Sequence, residues 1–529
     1  MRYMGRLRAS LMLAAMAGMF IAPVAAQQPS DRGLALLDAV QQSLRLNPST
    51  LLQQQQVEAN QGIYLQAQGQ FDPVRSAAAT RGRQFLSLRS DQINQLATTG
   101  IVDVRSQLTE TTSYRLGLDK ILMNGIGLGA GFAVTSIDDN LARLQNIPVQ
   151  TAGTFSFRLN APLLRNSGRE TVGATVDATE AELSAARLDL NFTNAQTVLN
   201  TTLAYWDYVA KQRLLEIAVV TEKRLSDLVD ETRKLIAADQ VPAADIQLVL
   251  ASQAEKIANR VLSEQALIDA RRILARQIGL TAEYSMTLPL PRDDFPRYDG
   301  APLEFMSRID KLQEAALAAR SDLEALKARV RADGYRLAAS RNNLKPQLDF
   351  NFNLSYSGLA EGAQPSNIVA PYNTGRVGPS VTASLALLWP YENSAARGVY
   401  QSQSAAYEAN IIRLRDLQAS IGSLVAIVAI GLKNSAELSK VYDEAVRRYE
   451  ITLQNERTKH RLGTSTLIDV INVEDRLRVA LGNQVQVRQN YASAVVQFRF
   501  ELGQLIRQSG EEFSVSLSDL LSGRFDVPN

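Results

Sequence analysis

Residues 348–356 read Leu-Asp-Phe-Asn-Phe-Asn-Leu-Ser-Tyr. Every second residue is apolar and every intervening residue is polar, a period of two that predicts a β-strand with one apolar and one polar face. The same alternation recurs in residues 381–389 and 155–160. About nine tilted residues of this kind are enough to cross a bilayer, so these segments are expected to be strands of membrane-crossing length.

A further pair of alternating segments flanks Asn124-Gly125, a dipeptide typical of tight hairpin turns. One arm carries apolar residues at alternate positions of 114–118, and the other does so over 126–132. Four glycines crowd the turn and the second arm: Gly125, Gly127, Gly129 and Gly131. The pattern predicts an additional hairpin between the strand regions of the first half of the chain.

The stretches between the strands predict unusually long helices. Residues from about 168 to 237 and from about 399 to 461 contain no proline and few glycines. At 1.5 Å per residue, each would span roughly 100 Å. Shorter helices are expected at about 243–278 and about 310–343, which would sum to nearly the same length if laid end to end.

A coiled-coil seam runs along the last long helical segment. Its apolar and small residues alternate steps of three and four, a period of 3.5 residues: Val470, Val473, Leu477, Ala480, Gln484, Val487, Tyr491, Ala494 and Phe498. Such a stripe usually reflects ordinary helix packing. The length of the helices is the informative feature, because a globular core has no use for a helix of roughly 100 Å.

The chain contains an internal repeat, which is best recognised before any fold is assigned. Two pairs of similar positions are offset by 273 residues and two by 224: Asn47 and Arg320, Pro73 and Pro346, Asp245 and Asp469, Gly279 and Gly503. Between its first two repeat prolines, the first unit spans residues 73–162 and the second only 346–390. The first unit therefore carries an insertion in its strand region.

The N-terminal residues predict export. Arg2, Arg6 and Arg8 precede an apolar stretch, and Ala26 ends a run of small residues suited to cleavage before Gln27. No later stretch approaches the roughly 20 apolar residues of a spanning helix, and the best candidate, residues 424–430, is far too short. Any membrane crossing is therefore expected to use β-strands.

Composition excludes several classes of function. Without the three signal arginines, 53 basic residues face 54 acidic ones, so nothing resembles the basic footprint of a nucleic-acid-binding protein. The chain has no cysteine, which excludes disulfides and thiolate metal sites. His460 is the single histidine, for which a surface or helix-end position is expected. No nucleotide-binding or catalytic motif appears, so no enzyme activity, cofactor or metal is expected.

The chain resembles the TolC-like outer-membrane efflux proteins over nearly its whole mature length. The segments that carry the resemblance are the helix from Leu37 to Asn47-Pro48, Phe71-Asp72-Pro73, Leu344-Lys345-Pro346, Pro162-Leu163-Leu164-Arg165-Asn166 and the run from Leu462 to Val470. The last of these, Leu-Gly-Thr-Ser-Thr-Leu-Ile-Asp-Val, is the most specific and is weakly repeated at residues 238–245.

The resemblance implies a mainly α-helical fold with a membrane β-barrel. In that family, long antiparallel coiled-coil helices form a periplasmic tunnel, and a homotrimer shares one barrel in the outer membrane. The implied function is the passive exit duct of a tripartite efflux or type I secretion system. Its partners would be a periplasmic adaptor, an inner-membrane pump or transporter, and outer-membrane lipid.

The resemblance also implies a constriction at the periplasmic tip of the tunnel. Asp469 and Asp245 match acidic positions of that tip, while Asn472 stands where well-known members carry a second acid. Gly463 and Thr466 belong to the helix-turn motif beside it, and Ser465 replaces an arginine found in some members. Residues 466–469 also fit a helix-start capping box, so a capping role alone is an alternative for Asp469.

The expected organisation has nine segments. They are a signal peptide (1–26), a first-unit leading helix (27–71), first-unit barrel strands with the inserted hairpin (72–161), first-unit tunnel helices (162–280), an equatorial linker (281–309), a second-unit leading helix (310–345), second-unit barrel strands (346–390), second-unit tunnel helices (391–507) and a C-terminal equatorial tail (508–529).

Two alternatives stay open at this stage. A secreted coiled-coil scaffold of the cell envelope would share the long helices, but it would not need apolar strand faces of membrane-crossing length. The inserted hairpin either rises outside the cell as a cap, which we favour, or joins the barrel wall. The second arrangement would give a trimer 18 strands instead of 12.

Overall fold

The computed structural model describes residues 33–238, 242–298, 308–362, 372, 375, 377–509 and 512–521. The expected signal peptide, residues 1–26, lies outside the described residues, as do parts of the expected linker and tail. The division of the chain into nine segments stays a prediction.

Helices make up most of the described chain. They are α1 (Leu36–Leu46), α2 (Pro48–Gly69), α3 (Ser90–Thr98), α4 (Asn140–Leu144), α5 (Arg169–Val172), α6 (Ala174–Ala237), α7 (Asp245–Ile278), α8 (Ala282–Ser285), α9 (Ile309–Ala319), α10 (Ser321–Asn342), α11 (Ser394–Arg461), α12 (Leu467–Glu501) and α13 (Leu517–Leu521). The two longest, α6 and α11, contain 64 and 68 residues, which confirms the predicted long helices.

Six strands form one antiparallel sheet in chain order: β1 (Val74–Ser87), β2 (Ser106–Ile121), β3 (Gly127–Asp139), β4 (Gln150–Pro162), β5 (Gln347–Glu361) and β6 (Val377–Leu388). Two short strands near the C-terminus, β7 (Arg507–Ser509) and β8 (Glu512–Ser514), pair separately. The predicted strands at 155–160, 348–356 and 381–389 correspond to β4, β5 and β6, although β6 ends just before Trp389.

The predicted hairpin around Asn124-Gly125 consists of β2 and β3 and lies inside the sheet. β2 pairs with β1 on one side and β3 pairs with β4 on the other. The favoured expectation, that this hairpin rises outside as a cap, is therefore wrong. Its 16 and 13 residues have the length and alternation of the neighbouring strands, so the hairpin pairs as part of the sheet.

The shorter helices stack end to end in a different pairing from the expected one. The C-terminus of α7 abuts the N-terminus of α2, where the Asn47 side chain donates a hydrogen bond to the Gln277 carbonyl at 2.7 Å. In the second unit, the end of α12 abuts the start of α10, where Arg320 pairs with Glu501. The expected stack of 243–278 on 310–343 is therefore wrong. Instead, α7 stacks on α2 and α12 stacks on α10, so each stack stays within one repeat unit.

Glycines close both junctions. Gly279 has a φ of +93°, and a Cβ there would lie 2.2 Å from the Leu46 carbonyl oxygen. Gly503 has a φ of +69°, and its Cβ would lie 3.0 Å from the backbone of Ala319. Left-handed backbone and close approach both favour glycine at these positions. The repeat that was predicted from offsets of 273 and 224 residues therefore corresponds to two matching helix junctions.

The core lies midway along the helices, where the linker crosses α6. Tyr205, Trp206 and Tyr208 are fully buried there and belong to the hydrophobic core. The Tyr205 hydroxyl donates to the Leu34 carbonyl at 2.9 Å and lies 3.1 Å from the Asp293 carboxylate. Burial raises the pKa of Tyr205, so the hydroxyl stays protonated. The network ties the N-terminal segment and the linker to α6.

The predicted seam of α12 packs on α11. Val470, Leu477, Tyr491 and Phe498 are buried, and Gln484 donates to Asp443 of α11 at 2.7 Å. The antiparallel pairing of two long helices is therefore confirmed.

Among the described helices, α11 is long and apolar enough to cross a membrane by length and composition. The expectation that no later stretch meets this criterion is wrong. Ile421, Val425 and Leu432 on one face of α11 are buried against neighbouring helices, whereas Ile427 on the other face is 64% exposed. The apolar character of α11 therefore comes from two faces, of which this chain covers one.

The stacked junction gives a stability prediction. Gly279→Ala places a Cβ against a backbone oxygen in left-handed backbone, so it should lower the free energy of unfolding by about 2–3 kcal/mol. Gly62→Ala is the control, because its Cβ would meet open space in the helix interior of α2 and should be neutral or stabilising by up to about 1 kcal/mol. Urea unfolding followed by far-ultraviolet circular dichroism compares them, and equal midpoints would contradict the packed junction.

Candidate functional site at the helical tip

The tip of the second unit is a tight turn between α11 and α12. Gly463 has a φ of +74°, its N–H donates to the His460 carbonyl at 2.9 Å, and the Thr464 N–H donates to the Lys459 carbonyl at 2.9 Å. These two bonds make a Schellman ending, which requires glycine at this position. The sequence therefore ends α11 just before Gly463 and begins α12 just after its N-cap residue Thr466.

Thr466 and Asp469 begin α12 with a capping box. The Asp469 carboxylate accepts from the Thr466 backbone N–H at 3.1 Å, and the Thr466 hydroxyl accepts from the Asp469 N–H at 3.3 Å. The predicted capping role of Asp469 is confirmed. The reciprocal bonds satisfy backbone donors that a helix start leaves unpaired.

The same bonds affect the charge of Asp469. The Thr466 hydroxyl and backbone N–H hold the pKa of this exposed carboxyl below its usual range. Because the folded-state pKa lies below the unfolded one, these bonds stabilise the turn above the ordinary aspartate pKa. That contribution is lost as the pH falls through the folded pKa. At neutral pH, Asp469 therefore presents a full negative charge to solvent.

Two further side chains brace the turn from α11. The Ser465 hydroxyl donates to the Glu456 carboxylate, and the His460 Nδ1 lies 3.1 Å from the Ser465 carbonyl oxygen, to which it donates. Hydrogen bonding to Ser465 and Lys459 lowers the pKa of Glu456. His460 occupies the last turn of α11, which confirms its predicted helix-end position. Ser465 thus holds the turn to its own helix.

The other predicted tip residues lie at the same end of the bundle. Asp245 is the first residue of α7, and Asn472 is exposed one turn into α12. Beside them, a small apolar cluster joins the α6–α7 helix pair to the α11–α12 helix pair, with Val249 of α7 packed near Leu467 and Ile471 of α12. Asp245 and Asp469 therefore belong to adjacent helix starts. Their role in a constriction stays a prediction.

A buried ion cluster just above the tip was not found from the sequence. Glu474 of α12 is 5% exposed and accepts from Arg224 of α6 at 3.2 Å and from Arg457 of α11 at 3.3 Å. The Lys256 ammonium of α7 is also buried and lies 2.5 Å from Asp475. The four helices of the tip are thereby joined through α12. Spacing could have indicated Glu474, since it lies four residues after Val470 and three before Leu477 on the buried face.

This combination of fold and tip has known counterparts. Residues 312–504 match the model of a family described as outer membrane efflux protein. The outer membrane protein TolC of Vibrio cholerae serotype O1 is 22% identical over 346 residues, which cover 64% of this chain and 75% of that protein. The residues matched by the family model include the α11–α12 tip.

Solved structures share the fold over most of the chain. The outer membrane protein VceC of Vibrio cholerae aligns with a TM-score of 0.63 and 14% identity, covering 88% of this chain and 96% of that one. The CmeC outer membrane channel of Campylobacter jejuni aligns with a TM-score of 0.63 and 11% identity, covering 89% and 85%. The protein thus has the channel-tunnel fold of these solved structures, and its residues 312–504 are similar to the outer membrane efflux protein family.

The ion cluster gives a prediction for the tip. Glu474→Gln leaves two arginines facing one uncharged amide, which should destabilise the tip by about 1–3 kcal/mol, because breaking a buried ion pair exposes its desolvation cost. Amide hydrogen exchange over residues 456–475 should then quicken roughly tenfold. Glu450→Gln, an exposed acid on α11, is the matched control. Unchanged exchange in Glu474→Gln would show that the cluster does not hold the tip.

Proposed function

We propose that the protein is an outer-membrane efflux duct, a passive channel whose helices extend from the outer membrane into the periplasm. Three copies share one barrel, and a periplasmic adaptor with an inner-membrane pump or transporter supplies the cargo and the energy. The observation that carries this proposal is a sheet with one apolar face and two unpaired edges, mounted on helices of more than 60 residues.

The two faces of the sheet differ as a barrel wall requires. Several registered rows on one face are mainly apolar from strand to strand; one such row contains Ala77, Leu116, Phe132, Phe155 and Tyr356. The opposite face carries mainly hydroxyl and carboxamide side chains such as Asn160, Asn351 and Thr382. Apolar residues facing lipid and polar residues facing water are typical of outer-membrane barrels. At 12–16 residues, the strands exceed the crossing length of about nine to eleven.

The edges of the sheet call for further copies. β1 and β6 each have one neighbour within the described sheet. In lipid, their free N–H and C=O groups would lack partners, which costs several kcal/mol per group. β1 and β6 run in opposite directions, so β6 of one copy can pair with β1 of the next without breaking the antiparallel order. A closed ring of three copies satisfies every edge and agrees with the family resemblance.

The uncovered face of α11 supports the same assembly. Leu424, Ile427, Leu438 and Val441 form an exposed apolar stripe with steps of three, eleven and three residues. These steps fit a coiled-coil period. Packing against a neighbouring copy would bury this stripe and complete the helical tunnel. The composition that would permit α11 to span a membrane is then explained by contact between copies.

Aromatic residues mark the lower rim of the proposed barrel. Trp389 and Tyr391 follow β6 and are 74% and 99% exposed. Tryptophan and tyrosine side chains favour the boundary between lipid and water. Their position between strand and helix suits the periplasmic boundary of the outer membrane.

The tip is proposed as the selective constriction. Three copies of Asp469 and three of Asp245 around one axis would concentrate negative potential in a narrow opening, favouring cations. Asn472 adds no charge, so this ring is less acidic than in relatives with a second acid. The adaptor would grip the helices around this tip. Cargo choice then depends mainly on the pump, and the duct adds a preference for charge.

The scaffold alternative is not favoured. A secreted spacer has no need for apolar strand faces, and in water the rows containing Phe132 and Phe155 would form a large exposed apolar surface. CmeC, one of the solved structures that share the fold, is a channel by name.

Charge selectivity tests the tip. In planar bilayers, the purified protein should form discrete cation-selective channels, and Asp469→Asn together with Asp245→Asn should reduce the cation-to-anion permeability ratio several-fold. The control is Glu437→Gln, an exposed acid on α11 far from the tip. Reversal potentials in a salt gradient give the ratio, and an unchanged ratio in the double variant would refute the acidic constriction.

Acid titration of the same channels provides an independent check. Cation preference should persist below the ordinary aspartate range, because hydrogen bonds lower the pKa of Asp469. Thr466→Val removes the hydroxyl donor and should move the loss of selectivity to higher pH. Complete absence of channels from the wild type would instead favour the scaffold.

A further inference from the structure

We propose that the β2–β3 hairpin makes the shared barrel 18-stranded, so that the exit is about as wide as the helical tunnel beneath it. The duct could then release cargo of larger cross-section than a barrel with four strands per chain would pass. This inference rests on the proposed function, because it assumes three copies around one lumen.

Pairing on both sides makes the hairpin part of the wall. β1 and β2 pair from Val74 opposite Asp119 to Ser87 opposite Ser106. β3 and β4 pair from Gly127 opposite Asn160 to Ile137 opposite Gln150. The hairpin therefore separates β1 from β4 along their whole length. Without it, β1 would lose its one neighbour in the described sheet, and β4 would pair with β5 alone.

The apolar face continues through the hairpin in phase. Leu116 of β2 lies between Ala77 and Phe132 in one registered row. Phe132 of β3 contacts Phe155 of β4, with ring centroids 4.6 Å apart. A one-residue slip would have turned these side chains to the polar face. The hairpin therefore extends the lipid-facing band by two strands per copy.

The turn of the hairpin is fixed at the helical end of the sheet. The Gly168 N–H, at the start of α5, donates to the Asn124 carbonyl at 3.1 Å. Gly125 has a φ of +91°, and a Cβ there would lie 2.3 Å from the Asn166 carbonyl oxygen. The turn is thus packed where β4 passes into the helices. An extracellular cap would place its turn at the opposite end.

Glycines keep the polar face of the hairpin thin. A Cβ at Gly129 would lie 2.6 Å from the Asp119 carboxylate and 3.1 Å from the Arg158 guanidinium. Asp119 and Arg158 pair at 2.8 Å across this glycine. The side chains of Asp119 and Arg158 therefore lie along the sheet instead of projecting from it. The added strands enlarge the lumen without filling it.

The perimeter of the tunnel matches 18 strands. Each chain supplies four helical columns: α6, α11, the α7–α2 stack and the α12–α10 stack. Twelve columns spaced about 10 Å apart have a perimeter of about 120 Å. Eighteen strands about 4.8 Å apart and tilted by about 40° occupy about 110 Å, whereas 12 strands occupy about 75 Å. The larger barrel joins the tunnel without a narrow neck.

Spin labels test the position of the hairpin. The chain has no cysteine, so single cysteines at Leu116→Cys and Arg115→Cys in β2 each give one label. In outer-membrane vesicles, the first should be accessible to oxygen in the lipid phase and the second to a water-soluble nickel chelate. Phe352→Cys and Asn353→Cys in β5 form the control pair, because this strand belongs to the wall with either strand count.

The outcomes separate the two proposals. If the β5 pair alternates and both β2 labels are exposed to water, the hairpin lies outside the wall and this inference fails while the duct stands. If neither pair alternates, the strands are not in a membrane and the proposed function fails too.

Polymer exclusion tests the width. Polyethylene glycols of graded size, added on the barrel side of single channels, should enter up to a radius of about 12 Å for 18 strands, against about 7 Å for 12. A cut-off near the smaller value would overturn the wide exit.

Discussion

The unpaired edges of the six-stranded sheet constrain everything else in this molecule. A strand edge in water can bond to solvent, but in lipid it must find another strand. One copy of the chain leaves β1 and β6 open. In the proposed trimer, closure by further copies would satisfy these groups and create a lumen. The chain then needs helices long enough to continue that lumen across the periplasm, which α6 and α11 supply.

Such helices cannot rely on a globular core. Their stability comes from stripes of small and apolar contacts along the bundle and from a few local fastenings. The glycine junctions at Gly279 and Gly503 each join two half-helices into one column. The Tyr205 network fixes the middle of α6 to the linker, and Glu474 joins three helices near the tip. In the proposed duct, ion pairs would suit a tip that opens, because water can replace charged contacts more readily than it can replace apolar ones.

The sequence predicts strands best where one face of the sheet is strongly apolar. Strict alternation indicated β5, since nearly every outward residue there is large and apolar. β1 was not identified individually, because its outward positions hold alanine and arginine, for example Ala77, Ala79 and Arg81. Here pairing with β2 outweighs local preference. The hairpin was recognised from Asn124-Gly125, but its place in the sheet depends on contacts with residues 162–172, which no local pattern contains.

The tip illustrates the same limit. Gly463, Thr466 and Asp469 act through neighbours within six residues, so the turn and its capping box could be predicted. Glu474, Arg224 and Arg457 come from three helices, and their meeting depends on how the two hairpins pack. The stacked half-helices were likewise mispaired, because length alone cannot distinguish α2 from α10 as the partner of α7.

Native mass spectrometry of the detergent-extracted protein tests the central claim most directly. If sheet edges close between copies, the main species should have three times the mass of the processed chain and should persist on dilution. A monomer that stays folded and soluble in detergent, with its sheet edges free, would contradict the shared barrel and the duct built on it.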